Sequence, residues 1–356
     1  MGDRPRAISR DTCGGGTAGV TASDPASKRR AREVIVQLIG FALGILFIVW
    51  CARQAFGGDG FDVVLERLRV APTWLVIVAL SATLVSLVTN GLIFWCTIRP
   101  VRAIGWLELQ AVNLLASFLN YAPFRIGLVA RVAYHWRVQG MGPGLMGAWL
   151  VAVLLSICVA FVAVSLAMPL APRVGLAGTF LVIVAASACA TWGIRRVSGT
   201  ARAARWLRGA QPMLVQPQAF GLAVALRIID IVAWTVRMVA VAAILGAPLT
   251  LTQAALLGLA AFALAQNPLG RFGFREAGVA WIASHLFAGS MTGDELTATF
   301  ARIAMIESAA EAALTIPLGG IATLWCWRRF STTPRRGFGS GRSAESPEDH
   351  SSGAAR

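Results

Sequence analysis

The chain has 356 residues, 56% hydrophobic and 14% charged, with a net charge of +15. A soluble domain carries about 25% charged residues, so this composition excludes a water-soluble globule with a polar surface. The basic residues lie in segments between long apolar runs. That placement excludes a nucleic-acid-binding surface and fits the positive-inside rule, with anionic headgroups as neighbours.

Residues 1–32 are rich in Gly, Ser, Thr and Arg, with no apolar stretch before Val34. They read as a disordered cytoplasmic tail rather than a cleavable signal, whose apolar core would lie near the start. Runs of about 20 apolar residues cross a hydrocarbon core of about 30 Å. The sequence predicts such spans over Val34–Trp50, Trp74–Trp95, Met146–Met168, Gly175–Ile194, Ala219–Leu245 and Ala301–Trp327. The basic cluster Ser27–Arg32 before the first span places the N-terminus in the cytoplasm. The connection Cys51–Pro72 has no basic excess, suits the outside, and contains a short amphipathic helix in VVLERLRVAP. The tail 330–356 is polar and reads as disordered and cytoplasmic.

Between the second and third spans, Asn120–Arg131 reads NYAPFRIGLVAR. If Glu108–Asn120 crossed the membrane, every later loop would change sides, and the five arginines between Arg195 and Arg208 would lie outside. If Glu108–Gln139 dips in and returns as two half-helices broken at Pro123, those arginines and the C-terminal tail lie inside, as the charge bias requires. A second interruption of the same kind follows in NPLGRFGFREAG, starting at Asn267. Pro123 and Pro268 are 145 residues apart, Gly127 and Gly273 are 146 apart, and Trp74 and Ala219 are 145 apart. These offsets predict repeats over 73–195 and 218–329, inverted because an odd number of crossings separates them. The expected fold is an all-α polytopic membrane domain over 33–329. It has about six full spans and two re-entrant broken-helix hairpins, or seven or eight hydrophobic segments by simple count. Inverted repeats with paired broken helices recur in transporters.

Each break offers free backbone N–H groups at a half-helix N-terminus, together with arginines: Arg125 and Arg131 in the first, Arg271 and Arg275 in the second. Both features suit an anionic headgroup; the alternative is that these arginines snorkel or pair with Glu276. Further charges lie inside predicted spans: Arg227, Asp230 and Arg237 in one, Arg302, Glu307 and Glu311 in the last. Each costs about 2.5–3.5 kcal/mol at the centre of a membrane helix on insertion scales. They therefore read as a salt-bridge network joining two spans, or as a hydrophilic groove with a titrating glutamate. The cysteines and histidines are scattered without ligand spacing, so no metal, cofactor or disulfide framework is expected. No nucleophile–base arrangement, phosphate loop or dinucleotide fingerprint is present, and enzyme activity is not expected.

The two interruptions resemble the membrane region of lysylphosphatidylglycerol synthases, a flippase-like family that also occurs as stand-alone membrane proteins. Pro123, Arg125, Gly127 and Arg131 match its P-x-R-x-G segment and following Arg. Pro268, Gly270, Gly273 and Glu276 resemble its P…G-G-x-G-x-x-E segment, and Arg302, Pro317 and Gly320 its R…P…G ending. Leu128 stands where the family usually has Glu, and Arg271 where it has the second Gly of the pair. The resemblance implies a bacterial inner-membrane protein that binds and translocates an anionic, aminoacylated or polyprenyl-phosphate-linked lipid. The implied binding residues are Pro123, Arg125, Gly127, Arg131, Pro268, Gly270, Arg271, Gly273 and Glu276. The alternative is a non-transporting accessory subunit of envelope lipid or glycan biosynthesis. Expected partners are membrane phospholipids and either a second copy or an envelope-biosynthesis enzyme, with no nucleic acid. Too little chain follows Arg329 for an aminoacyl-transferase domain.

Overall fold

A computed structural model describes residues 25–122, 126–207, 209–266, 273–286 and 293–333. They are helical nearly throughout, with no strand among them. The chain divides into two compact units, Met1–Ile39 and Gly40–Arg356. In the first, the described residues Pro25–Ile39 are the opening part of helix α1 (Pro25–Phe56). Helix thus begins inside the stretch expected to be a tail, while residues 1–24 and 334–356 lie outside the described residues.

Five stretches are long and apolar enough to cross a membrane. One of them, Pro143–Ser198, is 56 residues long and comprises two helices, α6 (Pro143–Ala167) and α7 (Ala171–Ser198). A single 3-10 turn at Met168–Leu170 joins them. Pro169 and Pro172 remove backbone donors at the junction, and Gly175 takes φ 67°, which a side chain would resist. The two helices pack on each other. The other long helices are α1, α3 (Thr73–Ile98), α10 (Pro217–Ile244) and the 40-residue α13 (Gly293–Thr332). Pro143 and Pro217 stand in the first turns of α6 and α10, where a missing N–H costs nothing. The amphipathic stretch after the first span is helix α2 (Gly60–Val70).

Short helices complete the unit from Gly40 onward. These are α4 (Trp106–Leu119), α5 (Ile126–Gln139), α8 (Ala201–Leu207), α9 (Pro212–Val215), α11 (Leu251–Ala265) and α12 (Phe274–Leu286). Helices α4 and α5 have 14 residues each, about 21 Å at 1.5 Å per residue, too short for a core of about 30 Å. They fold back on each other. Glu108 near the start of α4 accepts a 2.9 Å hydrogen bond from the Tyr134 hydroxyl late in α5. Arg102, just before α4, donates to the Gln139 carbonyl at the end of α5. Helices α11 and α12 also pack as a pair, with Gly278 against Leu264. Thr250 and Gln253 start α11 with a reciprocal capping box.

Two buried clusters mark the ends of the bundle. One joins Ile98, Ile104, Met141, Met213 and Phe220, hence the end of α3, the starts of α4 and α6, and α9 with the start of α10. The basic segments Arg99–Arg102 and Arg195–Arg205 flank it, and the end of α13 joins it through Arg329 and Glu108, 3.4 Å apart. The other cluster joins Ala55, Leu75, Ile244, Ala254 and Leu296, from the end of α1, the start of α3, the end of α10, α11 and the start of α13. Hairpin α4–α5 therefore leaves from and returns to the basic end, while α11 starts from the opposite one. Helix starts at 73, 106, 126 and 143 are answered by starts at 217, 251, 274 and 293, in the same order of long, short, short and long. Helices α3 and α10, the first of each set, form the most extensive pair among the described helices.

Candidate functional site

The α3–α10 pair carries the first polar group at mid-bundle. Asp230 receives Arg227 Nη1 on one carboxylate oxygen at 2.8 Å and Ser86 Oγ on the other at 2.5 Å. Spacing of three residues lets Arg227 and Asp230 meet on one helix face. Both are 2% exposed, so neither charge could persist at this depth without the other.

About two turns beyond Asp230 along α10, Arg237 reaches α13. It pairs with Glu307, lies 3.8 Å from Glu311, and donates to Thr83 Oγ1 on α3 at 3.3 Å. Arg275, in the first turn of α12, binds the same two carboxylates, with 2.5 Å to Glu311 and 3.4 Å to Glu307. It also lies 3.1 Å from its neighbour Glu276 and donates to Ser308, which donates to Glu276. The second oxygen of Glu276 accepts the Gly273 N–H at 2.8 Å. Trp234 supplies a ring beneath both guanidinium groups, 4.3 Å from Arg237 and 5.4 Å from Arg275. Three helices are thereby locked by two shared carboxylates on α13.

Arg131 on α5 stands apart. It is 9% exposed, donates to Asn113 Oδ1 at 2.7 Å, and lies 3.7 Å above the Phe94 ring. Among the described residues no carboxylate lies within ion-pair distance of it. Its positive charge rests on a neutral amide and a π face.

Between these groups lies a cavity of about 400 Å³. Hairpin α4–α5 contributes Ala116, Ser117, Asn120, Leu128 and Arg131; α11 contributes Phe262 and Ala265, followed by Gln266. Helices α3 and α10 supply Ser86, Asn90, Arg227, Asp230 and Trp234, and α13 supplies Glu311. The wall on α6 is apolar, with Leu150, Val153, Leu154 and Ile157. Asn120 Oδ1 and Arg227 Nε are buried without a hydrogen-bond partner among the described residues. Such groups need a partner when buried.

Of the residues expected to bind an anion, Arg131 lines this cavity. Pro123, Arg125, Pro268, Gly270 and Arg271 lie outside the described residues. Gly127 packs instead between helices: a Cβ there would stand 2.0 Å from the Ala116 carbonyl oxygen. Gly273, at φ 82°, packs against α1, where a Cβ would meet the Gly44 carbonyl oxygen at 1.8 Å. Glu276 belongs to the ion cluster. Of the expected charge network, Arg227 and Asp230 pair locally, while Arg237, Glu307 and Glu311 join α10 to α13. Arg302 is separate, its Nε donating to the Ala55 carbonyl at 2.9 Å near the end of α1. The reason is helical phase. Arg302 is five residues before Glu307, so the two point to different faces of α13.

Sequence reasoning missed Asn113, Asn120, Gln266, Ser86 and Ser308. Polar residues in apolar helices were the available signal, since each needs a partner away from lipid. Among the described residues no group of three or more His, Cys, Asp or Glu could hold a metal ion.

Long apolar helices, buried ion pairs and a polar cavity at mid-bundle are the features of a helical membrane protein. Comparison with family models, curated proteins and solved structures finds no match.

Proposed function

We propose that this is a bacterial inner-membrane protein that binds an anionic lipid headgroup in the cavity between its two hairpins and translocates it between leaflets. The observation that carries this reading is Arg131: a buried guanidinium without a carboxylate partner among the described residues, facing a polar cavity in an otherwise apolar bundle. The first turns of α5 bring Leu128 and Arg131 to the cavity, so the positive end of that helix dipole faces it too. In this reading α1, α3, α6, α7, α10 and α13 span the membrane, and α4–α5 and α11–α12 are re-entrant hairpins inserted from opposite sides. Both termini are cytoplasmic. The two sets of four helices are inverted repeats that rock around the cavity, as in other transporters built this way. The resemblance to the membrane region of lysylphosphatidylglycerol synthases supports the same assignment.

Translocation of fluorescent phosphatidylglycerol in proteoliposomes tests it. The expected result is transfer faster than in protein-free vesicles and its loss in Arg131→Ala. Wild-type transfer at the protein-free rate overturns the proposal. The locked cluster of Arg237, Arg275, Glu307 and Glu311 favours a second reading, a rigid accessory subunit of an envelope-biosynthesis enzyme. A stable partner on co-purification, retained by Arg131→Ala, would select it.

A further inference from the structure

The cavity has a side wall with few contacts across it among the described residues. Helix α5 packs on α4 and α13, and α6 packs on α7, α10 and α3; between themselves α5 and α6 meet, among the described residues, chiefly where His135 faces Trp149 towards the basic end, with ring centroids 5.0 Å apart. Only Gly140–Gly142 separates them in the chain. Leu128 on α5 and Leu154 on α6 both line the cavity, yet are 40% and 55% exposed on the apolar outer surface. Leu154 lies midway along α6, and Leu128 lies at the inner end of α5. The seam between these helices therefore joins the cavity to the hydrocarbon at mid-depth, through a mouth with leucine on both sides.

Resting on the reading of this cavity as a headgroup site, we infer that the α5–α6 seam is a lateral portal for a phosphodiester lipid with a neutral, hydroxyl-bearing headgroup. The phosphodiester meets Arg131, the one lining guanidinium without a carboxylate among the described residues. A monoanion matches that single charge, because Arg227 is already neutralised by Asp230. An ammonium headgroup would need a carboxylate, but Asp230 is held by Arg227 and Ser86, and Glu311 by Arg275. What remains around the anion is neutral and hydrogen-bonding. Asn90, Ser117, Asn120 and Gln266 line the space, with amides and a hydroxyl that can donate and accept. The acyl chains stay outside, against Leu128 and Leu154. Leucines at the mouth favour a lipid over a free organic phosphate, which would have to cross hydrocarbon to reach the site.

Native mass spectrometry of the full chain in detergent, offered phosphatidylglycerol, phosphatidylethanolamine, diacylglycerol or glycerol 3-phosphate, tests this. Phosphatidylglycerol should be retained about tenfold more than each of the others, the scale of one hydrogen bond to a charged group. Arg131→Gln should bring it down to the diacylglycerol level. Leu154→Trp, at an exposed position that does not disturb the core, should narrow the mouth and reduce retention. Leu181→Trp, on the exposed face of α7, should not. Equal retention of diacylglycerol, or full retention by Arg131→Gln, overturns the anion site. Preference for phosphatidylethanolamine overturns the headgroup class. Glycerol 3-phosphate retained as well as the lipid, or no effect of Leu154→Trp, overturns the portal. A chain that shows this selectivity but moves no lipid in vesicles keeps this inference and loses the transport reading. One that moves lipid without selectivity does the reverse.

Discussion

Asn120 and Gln266 cap the C-termini of two short helices, α4 and α11, that start from opposite ends of the bundle, and both side chains line the same cavity. They are 146 residues apart, the same offset as Gly127 and Gly273. The two ends of the molecule thus deliver matching amides to one mid-depth space. Helix C-termini also direct carbonyl dipoles there, so the positive charge of Arg131 sits among partial negative charges as well as beside Phe94.

The back-folding of α4–α5 predicts sidedness. In a cysteine-free background, Ala103→Cys, Gly142→Cys and Arg202→Cys should react with an impermeant maleimide from one side of the membrane. Asp59→Cys should react from the other. If Ala103→Cys and Gly142→Cys label from opposite sides, the hairpin crosses the membrane and the proposed topology fails.

Glycine contacts predict where added volume is not tolerated. Gly127→Ala puts a methyl 2.0 Å from the Ala116 carbonyl oxygen; overpacking of this kind costs about 1–3 kcal/mol. Gly273→Ala adds backbone strain, at φ 82°, to its collision with Gly44 and should be worse. Gly147, with nothing within 4 Å of a built Cβ, is the control. Thermal unfolding in detergent should rank Gly147→Ala above Gly127→Ala above Gly273→Ala, and equal midpoints would refute the packing account.

The ion cluster predicts non-additivity. Arg275→Met strands Glu276, Glu307 and Glu311 with less compensation and should cost about 3–5 kcal/mol, as for other broken buried pairs. Adding Glu311→Gln removes one stranded charge and should recover part of that loss. A double variant as unstable as the sum of the two single variants would mean that the side chains do not interact in the folded protein.

Arg302 predicts a clean separation of stability from binding. It holds the Ala55 carbonyl and touches none of the cavity. Arg302→Gln should lower stability by about 1 kcal/mol and leave phosphatidylglycerol retention unchanged. A drop in retention matching that of Arg131→Gln would place Arg302 in the binding machinery.

The all-helical class and the long apolar helices were legible because hydrocarbon thickness fixes how many apolar residues a span needs. The pairing of Arg227 with Asp230 was legible from helical spacing alone. The shared use of Glu307 and Glu311 by Arg237 and Arg275 was only half visible. The first arginine lies in a long apolar run, whereas Arg275 followed a Pro/Gly interruption and read with the anion-binding set. Its true partners depend on how α12 lies on α13, which no local pattern encodes. The same limit applies to Gly127 and Gly273. A glycine in a break suits either a ligand or a neighbouring backbone, and the three-dimensional approach of Ala116 and Gly44 selects the second. Asn120 and Gln266 escaped because single amides carry no periodic signal.

Helix α13 touches the two hairpins in different ways along its 40 residues. Near Glu307, Ser308 and Glu311 it grips α12 through ion pairs and hydrogen bonds with fixed directions and short reach. Beyond Pro317 it meets α4 through Gly319, set against the Phe118 side chain and the Leu114 carbonyl oxygen, and through the pairing of Arg329 with Glu108. The first grip is buried, so its charges depend on one another; the second is close packing with an exposed ion pair that contributes little. One side of α13 is therefore fastened by buried charge and the other by the close approach of two helices at a glycine.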